Sequence, residues 1–226
     1  MILLSCDPRK VDGKMKVISL VTQKGGSGKS TLCVSLAVAA QEAGHAVCIL
    51  EMDRQGTASQ WSQARSGQAP EVAQVTADKL DGVIGRLQGA SYDFIFIDTP
   101  GVDSPGTHSA IRQSDLCLIP CRPTPADLRS VSPTLAAIHR LEKDFAFVLS
   151  QTPTKGFRVR DTSKGLAVLG VLADVAVVSR TDHQDAVGAG QGVTEFAPEG
   201  QAAGEMRRLW AWIDNRTKGL PHVQAA

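Results

Sequence analysis

The chain has 226 residues, 42% of them hydrophobic and 4% aromatic, and carries a net charge of +1. This is the make-up of a globular protein of one large domain or two small ones, long enough to bury a sizeable core without staples. It excludes a helical membrane span, because no apolar run approaches the ~18 residues one needs, and it lacks the global basic excess or stacking aromatics that announce a nucleic-acid partner.

The first 14 residues read as a leader or an alternative-start segment ahead of Met15. Their apolar run is too short for a signal peptide, and the charges follow it rather than precede it. KVISLVT, Lys16–Thr22, is a β-branched run ending at glycines and predicts a buried strand. Lys29–Gly44 has helical spacing and closes on a glycine suited to a C-cap. Ala46–Leu50 predicts a strand, Thr57–Gly67 a short helix, Glu71–Val75 a weak edge strand and Ala77–Gly89 a helix. Tyr92–Asp98 is the most hydrophobic strand and belongs at the centre. Asp115–Pro120 is the next strand, followed by a helix over Pro125–Glu142 despite Pro133, and by a strand over Phe145–Ser150. A helix over Val159–Leu169, a short strand at Val171–Leu172 and a long helix over Gly200–Arg216 complete the pattern. Residues 218–226 read as a loose tail.

Strands alternating with helices imply a mostly parallel twisted sheet with helices on both faces, and continuous apolar strands fit burial on both sides. The expectation is one α/β domain over 15–217 with a P-loop NTPase fold. Ligands of such sheets bind outside the carboxyl ends of the strands. Three loops there carry suggestive residues.

The first is KGGSGKST, Lys24–Thr31. Gly25, Gly26, Ser27 and Gly28 let backbone N–H groups converge on phosphate oxygens at a helix N-terminus. Lys29 would pair with the β- and γ-phosphates of ATP, Ser30 would ligate Mg²⁺, and Thr31 completes the motif. The opening glycine of the usual GxxxxGK[ST] frame is replaced by Gln23, and there is a second lysine, Lys24. The second loop follows FIFID, where Asp98 ends an apolar strand as a Mg²⁺-holding aspartate does. Thr99, Pro100 and Gly101 make a turn able to sense a γ-phosphate. The third, LEMDRQG, carries Asp53, which either orients the attacking water or caps the Thr57 helix.

These loops resemble the ParA/MinD family of deviant Walker ATPases, over Met15 to Arg216. KGGSGKS matches the family's KGGxGK[ST] loop; MDRQGTAS is similar to its first switch segment, and IDTPG to its second. PCRPTPADLRSV and GQGVTEFAPEGQAAGEMRRLW look like later segments of the shorter, plasmid-partition members. Glu51 and Arg54 depart from the usual D-x-D-P-Q-G pattern. The resemblance implies that Lys24 reaches across an ATP-dependent homodimer to the partner's phosphates, and that Gln151 or the Pro123–Asp127 loop lies at the adenine. It also implies non-specific binding to nucleoid DNA and a cargo-adaptor or centromere-binding protein that stimulates hydrolysis. The setting would be cytoplasmic and nucleoid-associated, away from the membrane. The DNA contacts fall to Arg158 and Arg160, with Lys155 and Lys164, or to Arg207 and Arg208; the alternative for each cluster is a solvated helix face. Two rivals share the fold, a metal-cofactor-loading ATPase and a MinD-like cell-division regulator. The first uses paired cysteines. Of the five here, Cys117 and Cys121 are the closest pair, with one placed in a strand.

Overall fold

A computed structural model describes residues 15–65 and 68–220; the leader segment, Cys6 and the end of the tail lie outside that range. Six strands form one all-parallel sheet: β1 (Lys16–Leu20), β2 (Val47–Glu51), β3 (Glu71–Gln74), β4 (Phe94–Asp98), β5 (Leu116–Cys121) and β6 (Phe145–Leu149), in the order β3-β2-β4-β1-β5-β6. As the sequence implies, β4 is central and β3 is an edge. The helices that connect them are α1 (Lys29–Glu42), α2 (Thr57–Ala64), α3 (Leu80–Leu87), α4 (Pro105–Gln113) and α5 (Pro125–Arg140). After β6 come α6 (Phe157–Leu169), α7 (Thr181–Gly188), α8 (Val193–Phe196) and α9 (Gln201–Lys218).

The chain leaves β1 toward β2 and β3, returns to β4 between β2 and β1, then passes beyond β1 to β5 and β6. Because parallel crossovers are right-handed, the reversal sends connections to opposite faces. Helices α1 and α2 pack on one face with Phe94, Phe96, Ile18 and Leu20, and α7 to α9 return to cover them. Helices α3 to α5 pack on the other, against Ile95 and Ile97 at one end and Ile119 and Phe147 at the other. The switch point of this order lies at β1, and it fixes where a ligand crevice opens.

Helix α4, the Val171–Leu172 segment and the end of α9 differ from the sequence reading, and α7 and α8 form where it assigned no element. Helix α4 falls in a stretch to which the sequence reading assigned no element, where Ser-Pro-Gly could equally open a turn. The string is a helix start: Ser104 Oγ accepts a hydrogen bond from Thr107 N at 3.1 Å, and Pro105 occupies the first turn, where its missing N–H costs nothing. The expected strand at Val171–Leu172 is only an extended strip along the β6 edge, held by isolated bridges at Leu172 and Val178. Helix α9 runs to Lys218, two residues past the expected Arg216, so the tail boundary falls inside its last turn.

On α9 the two tryptophans divide as helical spacing requires. Trp210 is buried against Phe94 (4.8 Å between ring centroids, edge-on) and His45, while Trp212 is half-buried beneath the Arg216 guanidinium. Trp210→Ala should cost ~3–5 kcal/mol of folding stability as a large core truncation, and Trp212→Ala less than about 2 kcal/mol. Urea unfolding of both variants checks this order.

Candidate functional site

The register of the sheet levels three strand ends. Leu20 of β1 lies opposite Asp98 of β4, and Asp98 lies opposite Glu51 of β2. The loops that follow therefore leave one edge side by side. They line a single groove made by Gly25–Thr31, Asp53, Gln55, Thr57 and Pro100–Val102.

In the phosphate loop, Gly26 and Gly28 adopt φ of +69° and +86°, left-handed values that glycine reaches without strain. Gly28 is the N-cap of α1; it supplies no side chain to the first amides, and no acidic residue occupies the first turn. Those N–H groups and the positive end of the helix are left for an anion. Lys29 is buried, and its Nζ donates to the Lys24 carbonyl at 3.3 Å. Burial lowers its pKa, against the opposing pull of Asp98 and Asp53.

Asp98 is fully buried, and neither carboxylate oxygen has a hydrogen-bond partner. Burial pushes its pKa up to about 7; the adjacent Ser30 hydroxyl and Lys29 pull it down, while Glu51 and Asp53 push it further up. The Ser30 hydroxyl is near enough to favour the charged form without completing a hydrogen bond. An orphaned buried carboxylate beside a hydroxyl, at the foot of an anion cradle, fits Mg²⁺, which takes one or two protein oxygens and completes its shell with water and phosphate. Among the described residues, no cluster of three or more His, Cys, Asp or Glu offers an all-protein metal cage.

Glu51, a departure from the family pattern, has a definite structural task that sequence reasoning missed. Its buried carboxylate accepts from the Ala58 and Ser59 amides at 2.7 and 3.1 Å and from the Ser59 hydroxyl, so it caps α2 from the end of β2. That resolves the alternative role of Asp53. Asp53 does not cap α2; its Oδ1 accepts from Gln55 N at 3.0 Å in a local turn, which holds the half-buried carboxylate on the groove wall.

Lys24 is half-buried and ion-paired, and it does not line the groove of its own chain. Its Nζ donates to Asp127 Oδ2 at 2.6 Å. Asp127, at the start of α5, also accepts from Arg122 at 3.1 Å and from the Thr124 hydroxyl. Burial works to raise the Asp127 pKa, but the bonds from Lys24, Thr124 and Arg122 outweigh it and hold the carboxyl below its usual range. The Thr99–Gly101 turn is pressed against the segment around Lys24. Thr99 Oγ1 donates to the Leu20 carbonyl at 2.7 Å, and a Cβ on Gly101 would meet Gly25 N at 3.0 Å and the Lys24 carbonyl at 3.1 Å.

A second groove continues from the phosphate loop. Gly26, Gly28, Thr31, Leu32 and Gln151 form one wall; Val177–Arg180, His183, Gln184 and Met206 form the other. Gln151, in the left-handed region at φ +49°, donates its amide to the Gly26 carbonyl at 3.2 Å. The Pro123–Asp127 loop, expected here, does not line this groove and sits beside Lys24 instead. The α7 residues lay in a stretch where the sequence reading recognised no element.

The basic clusters separate. Lys155, Arg158, Arg160 and Lys164 are exposed on and before α6, and Arg208 is exposed on α9. Arg207 is committed to the Pro198 and Thr194 carbonyls at 2.7 and 3.1 Å, and to Glu42. Cys117 and Cys121 both lie in β5, buried, with pKa values pushed up to about 12 and about 11 by burial. They are core residues.

A parallel sheet with a glycine-rich loop and buried lysine at its switch point defines a P-loop nucleotide-binding protein. The chain belongs to the CobQ/CobB/MinD/ParA nucleotide-binding-domain family, whose model matches residues 18–186. Within it the affinity is to the ParA/MinD-type positioning ATPases. Maintenance of carboxysome distribution protein A of Halothiobacillus neapolitanus is 27% identical over 201 residues, covering 85% of this chain and 93% of that one. Protein ParA of Rhizobium radiobacter is 32% identical over 116 residues, 50% of this chain and 51% of that one. The solved septum site-determining protein MinD of Pyrococcus horikoshii, complexed with Mg-ADP, superposes with a TM-score of 0.74 at 18% identity, covering 89% and 97% of the two chains. At that identity the likeness concerns the fold.

The Asp98 environment has a measurable consequence. Its folded pKa of about 7 lies above the ordinary 3.8, so the folded chain holds the extra proton between those values. Stability contributed by this group is therefore full below about pH 4, lost as pH rises toward 7, and flat above. Asp98→Asn should remove that slope and make the ligand-free chain more stable at pH 8 by up to about 4 kcal/mol. Chemical unfolding of both proteins at pH 5 and pH 8 tests it; an equal difference at the two pH values would count against it.

Proposed function

We propose that the protein is an ATP-dependent positioning ATPase that dimerises on ATP, binds DNA without sequence preference and is released when a partner stimulates hydrolysis. The observation that carries this is the separation of the two loop lysines. Lys29 is buried at the foot of the phosphate groove, whereas Lys24 stays out of that groove and is parked on Asp127. A cation kept off its own chain's phosphates is suited to serve those of a second chain, much as an arginine finger does.

In this reading the backbone N–H groups of Gly25–Ser30 and the Lys29 ammonium hold the phosphates. Ser30 and Asp98 hold Mg²⁺, which when bound neutralises charge on the β- and γ-phosphates. Asp53 orients the attacking water from the groove wall. Glu51 keeps the first switch in place by fixing the helix that follows it. The relatives' names offer two kinds of cargo, carboxysomes and DNA partitioned by ParA, and we assign this chain to cargo positioning of that sort with an adaptor or centromere-binding partner. Buried Cys117 and Cys121 give no support to metal loading. No helix among the described residues is long and apolar enough to cross a membrane, and we place the protein in the cytoplasm, on the nucleoid.

For DNA, Arg158, Arg160, Arg207 and Arg208 are all exposed, but Arg207 is the less available because two carbonyls and Glu42 engage it. Binding should require ATP rather than ADP and weaken steeply with salt, as phosphate contacts release counterions. Charge reversal at Arg158 with Arg160, or at Arg208, should weaken it for all sequences alike, measured by fluorescence anisotropy on unrelated duplexes. Strong preference for one duplex would contradict a nucleoid-surface role.

Lys24→Ala should still bind ATP, because Lys29 and Ser30 remain, but should lose the ATP-dependent dimer and with it DNA binding. Asp53→Ala should keep the dimer and slow hydrolysis by ~10²–10⁴-fold. Light scattering with ATP separates them: Lys24→Ala dimerising as well as Asp53→Ala would remove the trans-acting role.

A further inference from the structure

The 52–56 loop, which carries Asp53, runs from β2 into α2, and α2 is short and thinly packed: of its eight residues only Ala58 and Trp61 are buried. The end of β2 is fixed in the sheet, so the position of α2 decides where the Asp53 carboxylate stands. Glu51 holds the front of the helix through the Ala58 and Ser59 amides. The rear is held from 130 positions away. Arg65, the C-cap of α2, is 8% exposed and forks onto Glu195: Nη1 donates to Oε2 at 2.7 Å and Nη2 to Oε1 at 2.6 Å. Nη1 also donates to the Gly190 carbonyl at 3.0 Å, and Nε to the Ala69 carbonyl at 2.8 Å. The guanidinium lies 5.1 Å from the centre of the Trp61 ring, whose Nε1 donates to the Gln191 carbonyl at 3.0 Å.

The segment that receives these bonds is GQGVTEF, residues 190–196, which the phosphate groove leaves without a task. It is itself fixed. Glu195 Oε2 also accepts from Gly192 N at 2.9 Å. Gly190 adopts a left-handed φ of +70°, and a Cβ there would meet Arg65 N at 2.5 Å; one on Gly192 would meet Val38 of α1 at 2.6 Å. The segment is wedged between α1 and α2 without slack. A guanidinium forked onto a carboxylate fixes orientation as well as distance, which a single ammonium does not.

We propose that Arg65 is a positioning residue for hydrolysis: locked to Glu195, it fixes the far end of α2 and so holds Asp53 where that carboxylate orients the attacking water. This rests on the role given to Asp53 above. Arg65 touches neither the phosphate loop nor the groove it lines. Its loss therefore spares ATP binding and displaces the water-orienting group, and a displacement of about 1 Å costs on the order of 10²-fold in rate.

The test is steady-state hydrolysis of Mg-ATP by the full chain with DNA present, beside hydrogen exchange of the ligand-free chain. Arg65→Ala should lower kcat at least about tenfold and leave KM for ATP within about twofold. Arg65→Lys, which keeps the charge and loses the fork, should fall between Arg65→Ala and wild type. Adding Arg65→Ala to Asp53→Ala should slow hydrolysis no further than Asp53→Ala alone, because the arginine acts through that carboxylate; a simple loss of folded protein would multiply in instead. The Gln55 and Gly56 amides, both bonded to Asp53, should exchange at least about threefold faster in Arg65→Ala, with residues 25–30 unchanged. Glu195→Gln, which keeps the shape and loses the charge, should show the same split of kcat from KM and decides the matter if Arg65→Ala does not fold. Wild-type kcat in Arg65→Ala, a further tenfold loss in the double variant, or unchanged exchange at Gln55 and Gly56 would overturn the assignment. A wild-type chain without ATP turnover would instead overturn the function proposed above, and the exchange comparison would still decide whether Arg65 places Asp53.

Discussion

A buried carboxylate without partners is the constraint around which this molecule is arranged. Asp98 ends the central strand with both oxygens out of water and unbonded. An unpaired charge in such a place is costly, and proteins commonly answer the cost by neutralising the group. Here Lys29 and Ser30 stand beside it and relieve the cost only in part, while Glu51 and Asp53 add to it. The groove is thus built short of positive charge and of donors on one side, and rich in unclaimed N–H groups on the other. In the function proposed above, a metal–triphosphate complex would supply both deficits at once. The stability given up in the empty site would then be recovered on binding.

The surrounding charges follow from that arrangement. Glu51 cannot be left as a second free anion a strand away, and the α2 amides, the Ser59 hydroxyl and the Gln74 side chain claim it. Lys24 could satisfy a nearby phosphate, yet Asp127 holds it, with Arg122 and Thr124 sharing the same carboxylate. Because Asp127 would keep those two partners after losing Lys24, release of the lysine does not strand a bare buried charge. A removable partner on a well-satisfied carboxylate is the kind of contact that two states can exchange cheaply.

Much of this was legible in the sequence because it is periodic or local. Apolar runs ending in glycine or aspartate gave the parallel strands, and the loop KGGSGKST carried its own geometry in Gly26 and Gly28. Where reading failed, the determinant was non-local or ambiguous. Helix α4 begins on Ser-Pro-Gly, a string equally at home in a turn, and the Ser104 cap together with the packing of Ala110 and Ile111 against the sheet decides for a helix. The Val171–Leu172 strip lacks the length to register as a strand. The role of Glu51 depends on amides seven and eight residues away in a helix it does not belong to. The tie between Lys24 and Asp127 spans 103 positions and leaves no trace in either motif. His183, on the wall of the second groove, sits in a segment with no strong pattern.

One contact described above bears on how such a protein would move. Gly101 approaches Gly25 so closely that even a methyl group could not be accommodated without displacing backbone. Backbone against backbone leaves no compliant side chain to absorb a shift. Any displacement of the Thr99–Gly101 turn must therefore be transmitted to the stem of the phosphate loop, and to the carbonyl of Lys24 within it. The two loops mesh like teeth, so a partner that levers one outward turns the other, and a side chain at position 101 would act as a slipped gear rather than as a lost ligand.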